Sequence, residues 1–212
     1  MAVRHFILCL GLLILFGRVL SADPITINPS GDGSLYTCSD CNVVDTGAYV
    51  LVADGIQGDV KFSTAAIPEA IDQALLELNP YGLPLWAPDV DVYGFTSGDG
   101  SVDASDVNAG VYLGTLVLPA DLGSGEDAFF DVTSFVEQNA GATFLGFNLR
   151  SADGPDVFSS TSYNYGQPPQ LDITATPEPC TLILFLSGIG ALASRRGRWG
   201  GTPQTEGDSR EK

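Results

Sequence analysis

Val90-Asp91-Val92-Tyr93-Gly94-Phe95 puts Val90, Val92 and Gly94 on one side of the chain and Asp91, Tyr93 and Phe95 on the other, which is the two-residue period of a strand. Phe144-Leu145-Gly146-Phe147-Asn148-Leu149 repeats the pattern, with Phe144, Gly146 and Asn148 opposing Leu145, Phe147 and Leu149. Short apolar runs bounded by turn residues continue on both sides, at residues 25–28, 49–53, 60–63, 74–78, 112–118, 128–132, 157–160 and 170–174. Only two stretches carry helical signals. Ser63-Thr64 precedes Ile67-Pro68-Glu69-Ala70-Ile71, and Thr133 or Ser134 precedes Phe135-Val136-Glu137-Gln138, each a single capped turn. The expected fold is therefore all-β, a jelly-roll-like β-sandwich with one or two short helical turns, filling one domain over residues 23–175.

Charge narrows what that domain can do. Of the chain's 26 acidic residues, four (Glu178, Glu206, Asp208 and Glu211) follow the domain, leaving 22 within it against Lys61 and Arg150 alone, a formal charge of 2 − 22 = −20. Such a surface repels phosphate backbones, which excludes nucleic acid as a partner. His5 is the sole histidine and falls in the N-terminal leader. The remainder cannot build a Ser-His-Asp or Cys-His nucleophile pair or a histidine-ligated zinc site. Enzymatic chemistry would be left to carboxylate pairs such as Asp89 and Asp91, at the separation of about 6.8 Å expected two residues along a strand.

Within the domain, Cys38 and Cys41 form a Cys-Ser-Asp-Cys segment that reads as a small disulfide loop, with a redox pair and free thiols as the alternatives. Asp32-Gly33 and Asn42 mark its surroundings as a turn. Ser97-Gly98-Asp99-Gly100-Ser101-Val102-Asp103-Ala104-Ser105-Asp106 reads as a solvated turn between strands. The competing reading is a calcium loop with Asp99, Asp103 and Asp106 as ligands; no cofactor is expected otherwise, since zinc needs four ligands and the cysteines supply two. Against it, counting back from Gly100 as the sixth loop position puts Phe95 where the first aspartate belongs. Tyr81 and Trp86, in a Pro-rich stretch, and Tyr163 and Tyr165 are candidate platforms for a sugar ring, although rings covering a sandwich edge have the same composition.

The two ends carry addresses. Residues 1–22 have the parts of a secretory signal peptide: Arg4 and His5, an apolar run over 6–16, then the small residues Ser21 and Ala22. Near the other end, residues 180–194 are uncharged and apolar up to Arg195, Arg196 and Arg198. As a helix the fourteen residues 180–193 would span roughly 21 Å, against a bilayer core of about 30 Å. The arginines favour the cytoplasmic side, which leaves the domain outside. Residues 199–212 form a polar tail.

Pro177-Glu178-Pro179, the following Thr181, the apolar run containing Gly188 and Gly190, and the arginine cluster together resemble the PEP-CTERM sorting signal of Gram-negative bacteria that make extracellular polysaccharide. The resemblance covers residues 176–198. It implies an exosortase-type membrane protease as partner, transient inner-membrane anchoring through the C-terminal helix, and delivery to the cell surface or beyond. Prolines keep the triplet extended, as a protease cleft requires.

A second resemblance runs from residue 44 to 174. Val60-Lys61-Phe62-Ser63 with Ile67-Pro68, Gln73 to Leu78, Val90 to Tyr93, Phe130-Asp131-Val132-Thr133-Ser134-Phe135-Val136, Leu145-Gly146-Phe147, Phe158-Ser159-Ser160 and Pro168-Pro169-Gln170-Leu171-Asp172-Ile173 are similar to DNRLRE-type domains of secreted microbial proteins. That resemblance implies a jelly-roll-like sandwich and association with polysaccharide. The family's central arginine and tryptophan-glutamate positions have no counterpart here, so no glycan-contacting residue carries over. The expected function is that of an exported, non-enzymatic surface or matrix protein associating with extracellular polysaccharide. The alternatives are a structural protein without ligand specificity, or an acid-pair glycan hydrolase or lyase.

Overall fold

The structure, a computed structural model, describes residues 23–37, 42–47, 49–80, 89–118, 126–151, 156–159 and 167–176. The strands, all in the compact unit Ser21–Thr176, are β1 (Ile25–Ile27), β2 (Gly31–Thr37), β3 (Asn42–Asp45), β4 (Tyr49–Val52), β5 (Ile56–Ser63), β6 (Ile71–Leu78), β7 (Asp89–Ser97), β8 (Val111–Val117), β9 (Ala128–Asp131), β10 (Phe144–Arg150), β11 (Asp156–Ser159) and β12 (Gln170–Ala175). Among the described residues one α-helix, α1 (Thr133–Asn139), interrupts them. Among the described residues no helix is long and apolar enough to cross a membrane, and residues 1–22 and 177–212 lie outside the description.

The strands form a four-stranded sheet in the order β1-β12-β6-β9, a six-stranded sheet in the order β3-β2-β5-β10-β7-β8, and the pair β11-β4. Every pairing is antiparallel. The alternation in the sequence fixes which face goes inward. Val60 and Phe62 of β5, Val90 and Val92 of β7, and Leu145, Phe147 and Leu149 of β10 are buried in one core with Ala74, Leu76 and Leu78 of β6 and Leu171 and Ile173 of β12. Val50, Val52 and Phe158 from the small pair, and Phe135 and Val136 from α1, complete it. Phe147 is the aromatic centre, edge-on to Phe62 at 6.0 Å and to Phe135 at 5.6 Å. This is an all-β, sandwich-like architecture, and ten of its strands lie where the hydrophobic pattern places them.

Three local expectations are corrected. Gly31-Asp32-Gly33 is strand, and Asn42 opens another: β2 and β3 pair from Ser34↔Asp45 to Thr37↔Asn42. Glycine is needed there for close approach, since a Cβ on Gly31 would overlap the Gly100 carbonyl. Cys38 and Cys41 lie outside the described residues, in the connection of this hairpin, flanked by strands on both sides. The expected turn at Pro68 is instead a 3₁₀ turn at Thr64–Ala66, capped by the Ser63 hydroxyl, which accepts from the Ala65 amide at 3.3 Å. Helix α1 exists, but neither Thr133 nor Ser134 caps it. Val132 stands at the N-cap without a side-chain cap bond, and the Asp131 carboxylate before it accepts from the Thr133 amide at 2.9 Å and its hydroxyl at 2.6 Å.

Replacing Phe147 with Ala should lower the free energy of unfolding by about 3–5 kcal/mol, because its fully buried ring packs against Phe62 of β5 and Phe135 of α1 in the core. Urea unfolding of the two proteins measures the difference.

Candidate functional site

The outer face of a two-sheet sandwich is ordinarily solvated, yet β10 is buried on both sides from Leu145 to Leu149. The cause is the segment 98–110 between β7 and β8, which folds back as a strap over the six-stranded sheet. Under it, alternate residues of the central strands supply a polar layer: Gln57, Asp59 and Lys61 from β5, Gly146, Asn148 and Arg150 from β10, and Asp91, Tyr93 and Phe95 from β7, set side by side by the strand registers. Gly146 is required because the Phe95 ring occupies the space a Cβ would take.

Lys61 is fully buried. Its Nζ lies 2.9 Å from Asp106 Oδ2, donates to the Ser101 carbonyl at 2.6 Å and to Ser97 Oγ at 3.2 Å, and sits 5.6 Å from the centre of the Phe95 ring. Asp106 is itself buried, whereas Asp99, at 3.8 Å from the ammonium, is 64% exposed. Gln57 clamps the strap further along, its Nε2 donating to Asn108 Oδ1 at 2.7 Å and its Oε1 accepting from the Asn108 amide at 2.9 Å. Asn108 takes a left-handed conformation with φ 58° to make that pair of bonds. Arg150 holds the strap's far end, donating to the Ala109 carbonyl and to Asn148 Oδ1, each at 2.7 Å, with its guanidinium 3.7 Å from the centre of the Tyr93 ring. Both cations of residues 23–175 are thus engaged in holding one segment.

Asp59 is the anomaly. It is fully buried beside this network, and neither carboxyl oxygen has a hydrogen-bond partner. Burial, and after it the charge of Asp106, push its carboxyl well above the ordinary carboxylate range, with Lys61 pulling the other way. The Asn148 amide, directly across from Asp59 in the strand pair, tempers the rise but completes a hydrogen bond to neither oxygen.

The three aspartates read as possible calcium ligands take separate roles. Asp99 Oδ1 accepts from the Ser101 amide at 3.0 Å. Asp103 caps the 3₁₀ turn Ala104–Asp106, and the Ser105 hydroxyl and amide hold its carboxyl below the usual range. Asp106 pairs with Lys61 and accepts from the Asp103 amide at 2.8 Å. They do not converge, and among the described residues no group of three or more His, Cys, Asp or Glu side chains is arranged to hold a metal. The expected solvated turn is also corrected, since Val102 and Asp106 are buried against the sheet. Asp91, one of the strand-paired acids, accepts from the Thr115 hydroxyl at 2.6 Å, while Asp89 is exposed. Tyr81, Trp86, Tyr163, Tyr165 and the whole sorting motif lie outside the described residues.

The sequence reading also missed an acidic group on the four-stranded sheet. Glu77 is buried there, and burial, followed by repulsion from Asp127 and Asp172, pushes it up to about 7. Asp172 accepts from the Thr26 hydroxyl at 2.6 Å, and Asp127 from the Asn79 amide at 2.7 Å. Two clefts beside α1, of about 290 and 350 Å³, bring no comparable set of charges together. Compared with known proteins, the chain matches no family model and no curated protein sequence.

Two outcomes are expected. Asp106→Ala, which leaves a buried ammonium without its carboxylate, should destabilise the fold by about 3–5 kcal/mol, whereas Asp99→Ala should change it by less than about 1 kcal/mol. Denaturant unfolding of both variants gives the comparison. Glu77 keeps its proton in the folded state up to about pH 7, while the unfolded chain releases it near its ordinary value of about 4.3. The folded state therefore binds more protons in this window, and stability falls as pH rises from about 4 to 7. In Glu77→Gln this part of the decline should disappear, which melting temperatures across the range would register.

Proposed function

We propose that this is an exported, non-enzymatic protein of the cell surface or extracellular matrix, a jelly-roll-like sandwich of DNRLRE type delivered by a PEP-CTERM signal. The observation that carries the reading is where the fold closes. Among the described residues the last strand, β12, is inserted between β1 and β6, and ends at Ala175. The Thr176 amide then donates to the Ala70 carbonyl at 3.0 Å, and Pro177 of the sorting triplet follows at once. A body whose described strands all end before the signal can be severed there without losing any of them. Its strongly acidic composition and the internal engagement of Lys61 and Arg150 suit a domain that stays soluble outside the cell.

Association with polysaccharide is the more specific half of the proposal. Pro80 pairs with Phe158, so the segments 81–88 and 160–166 leave the described fold from neighbouring points. These segments carry Tyr81 and Trp86, and Tyr163 and Tyr165. Rings from the two segments would supply the stacking surface that sugars use.

The test expresses the full chain in a host with and without an exosortase-type protease. With it, the exported protein should begin at Ala22 or Asp23 and lack residues 199–212, and Pro177→Ala/Pro179→Ala should abolish the trimming. Recovery of the intact tail in both hosts, read by mass spectrometry, would contradict the sorting role. Binding of the exported chain to host polysaccharide should weaken by roughly tenfold in Trp86→Ala. Absence of any binding would leave the structural reading in its place.

A further inference from the structure

We propose that Lys61 and Asp106 are a modification site at which the chain crosslinks itself, Lys61 Nζ forming an amide with Asp106 Cγ while Asp59 carries the proton. Three features of the polar layer lead there, none of which depends on the export reading. The amine and the carboxyl group are already in contact at 2.9 Å, and both are buried. The amine is aimed by fixed partners, the Ser101 carbonyl and Ser97 Oγ, and walled by the Phe95 ring. Beside them, two residues earlier on the same strand face, stands a second buried carboxyl group with no hydrogen-bond partner of its own. A structural ion pair gains nothing from such a neighbour, which places another acid next to Asp106. Amide formation is accelerated by one that carries a proton to the departing hydroxyl.

The chemistry balances without any outside reagent. Transfer of one proton from the Lys61 ammonium to the Asp106 carboxylate gives a neutral amine and a neutral acid, the forms favoured where charge is poorly solvated. The nitrogen lone pair attacks Cγ, forming the C–N bond and a tetrahedral centre. Asp59, whose carboxyl burial and the charge of Asp106 push toward the protonated form, donates its proton to the departing hydroxyl. Lys61 Nζ pairs with Asp106 and Asp99 and stands beyond ion-pair distance of Asp59, so the surplus proton on nitrogen returns to Asp59 through the water released. The Cγ–O bond breaks, one water leaves, and Asp59 ends in the state in which it began. Contact in a prepaid geometry replaces the activation that amide synthesis otherwise needs. The remaining N–H stays directed at the Ser101 carbonyl. The product would fasten the strap covalently to β5, in the middle of the six-stranded sheet.

Mass spectrometry of the purified full-length chain, denatured and digested with chymotrypsin, decides the matter. The expected result is a joined pair of peptides, one containing Lys61 and one containing Asp106, lighter than their sum by one water. Asp106→Ala should give no joined pair. A folded Asp59→Asn protein should form the link more slowly by on the order of a hundredfold. Wild-type peptides recovered separately at their unmodified masses after prolonged incubation would overturn the crosslink, whatever the variants do. A link forming at the wild-type rate in folded Asp59→Asn would overturn the role of Asp59.

Discussion

A fully buried ammonium must be answered by the residues around it, and Lys61 imposes that condition on the middle of the six-stranded sheet. In a low-dielectric interior an unpaired charge costs several kcal/mol, comparable with the net stability of a domain. The response comes from the strap over residues 98–110, through Asp106 and the Ser101 carbonyl. The glycines at 31 and 146 then make sense, because strap and rings lie so close to the strands that a side chain there would be in the way. Gln57 and Arg150 extend the same attachment to Asn108 and Ala109. One face of the sandwich is thus packed by apolar side chains, and the other is closed by a hydrogen-bonded polar layer.

How far the sequence discloses this depends on which physics is local. The inward faces of β7 and β10 follow from alternation alone, because one side of each strand meets the apolar core. Strands β2 and β3 were hidden because Gly31-Asp32-Gly33 has turn composition, and Gly31 answers to a neighbour more than sixty residues away, Gly100. For the same reason 98–110 reads as a solvated loop: its Gly, Ser and Asp content is that of a turn, and its burial comes from partners on β5 and β10. Composition did carry one clue to the site. A domain with 22 acids and two cations has to place those cations deliberately, and both meet the strap.

Glu77 and Asp59 show the complementary failure. Each sits among many acids that look alike in the sequence, and only the packing separates these two from the solvated majority. Burial pushes both above the ordinary carboxylate range. For a protein proposed to work outside the cell, such internal carboxyl groups and a latched strap bear on endurance more than on recognition. The segments 81–88 and 160–166, which carry the rings proposed to bind sugar, follow β6 and β11 in the chain.

Native-state hydrogen exchange of the unaltered chain tests the central claim most directly. The Asp103 and Asn108 amides donate to Asp106 Oδ2 and Gln57 Oε1 within the strap and its attachment. If the strap is an integral layer fastened through Lys61, these two amides exchange as slowly as those of β5 and β10. Exchange at the rate of an exposed loop, while the strands stay protected, would show that 98–110 is a surface connection and that the buried lysine does not hold it.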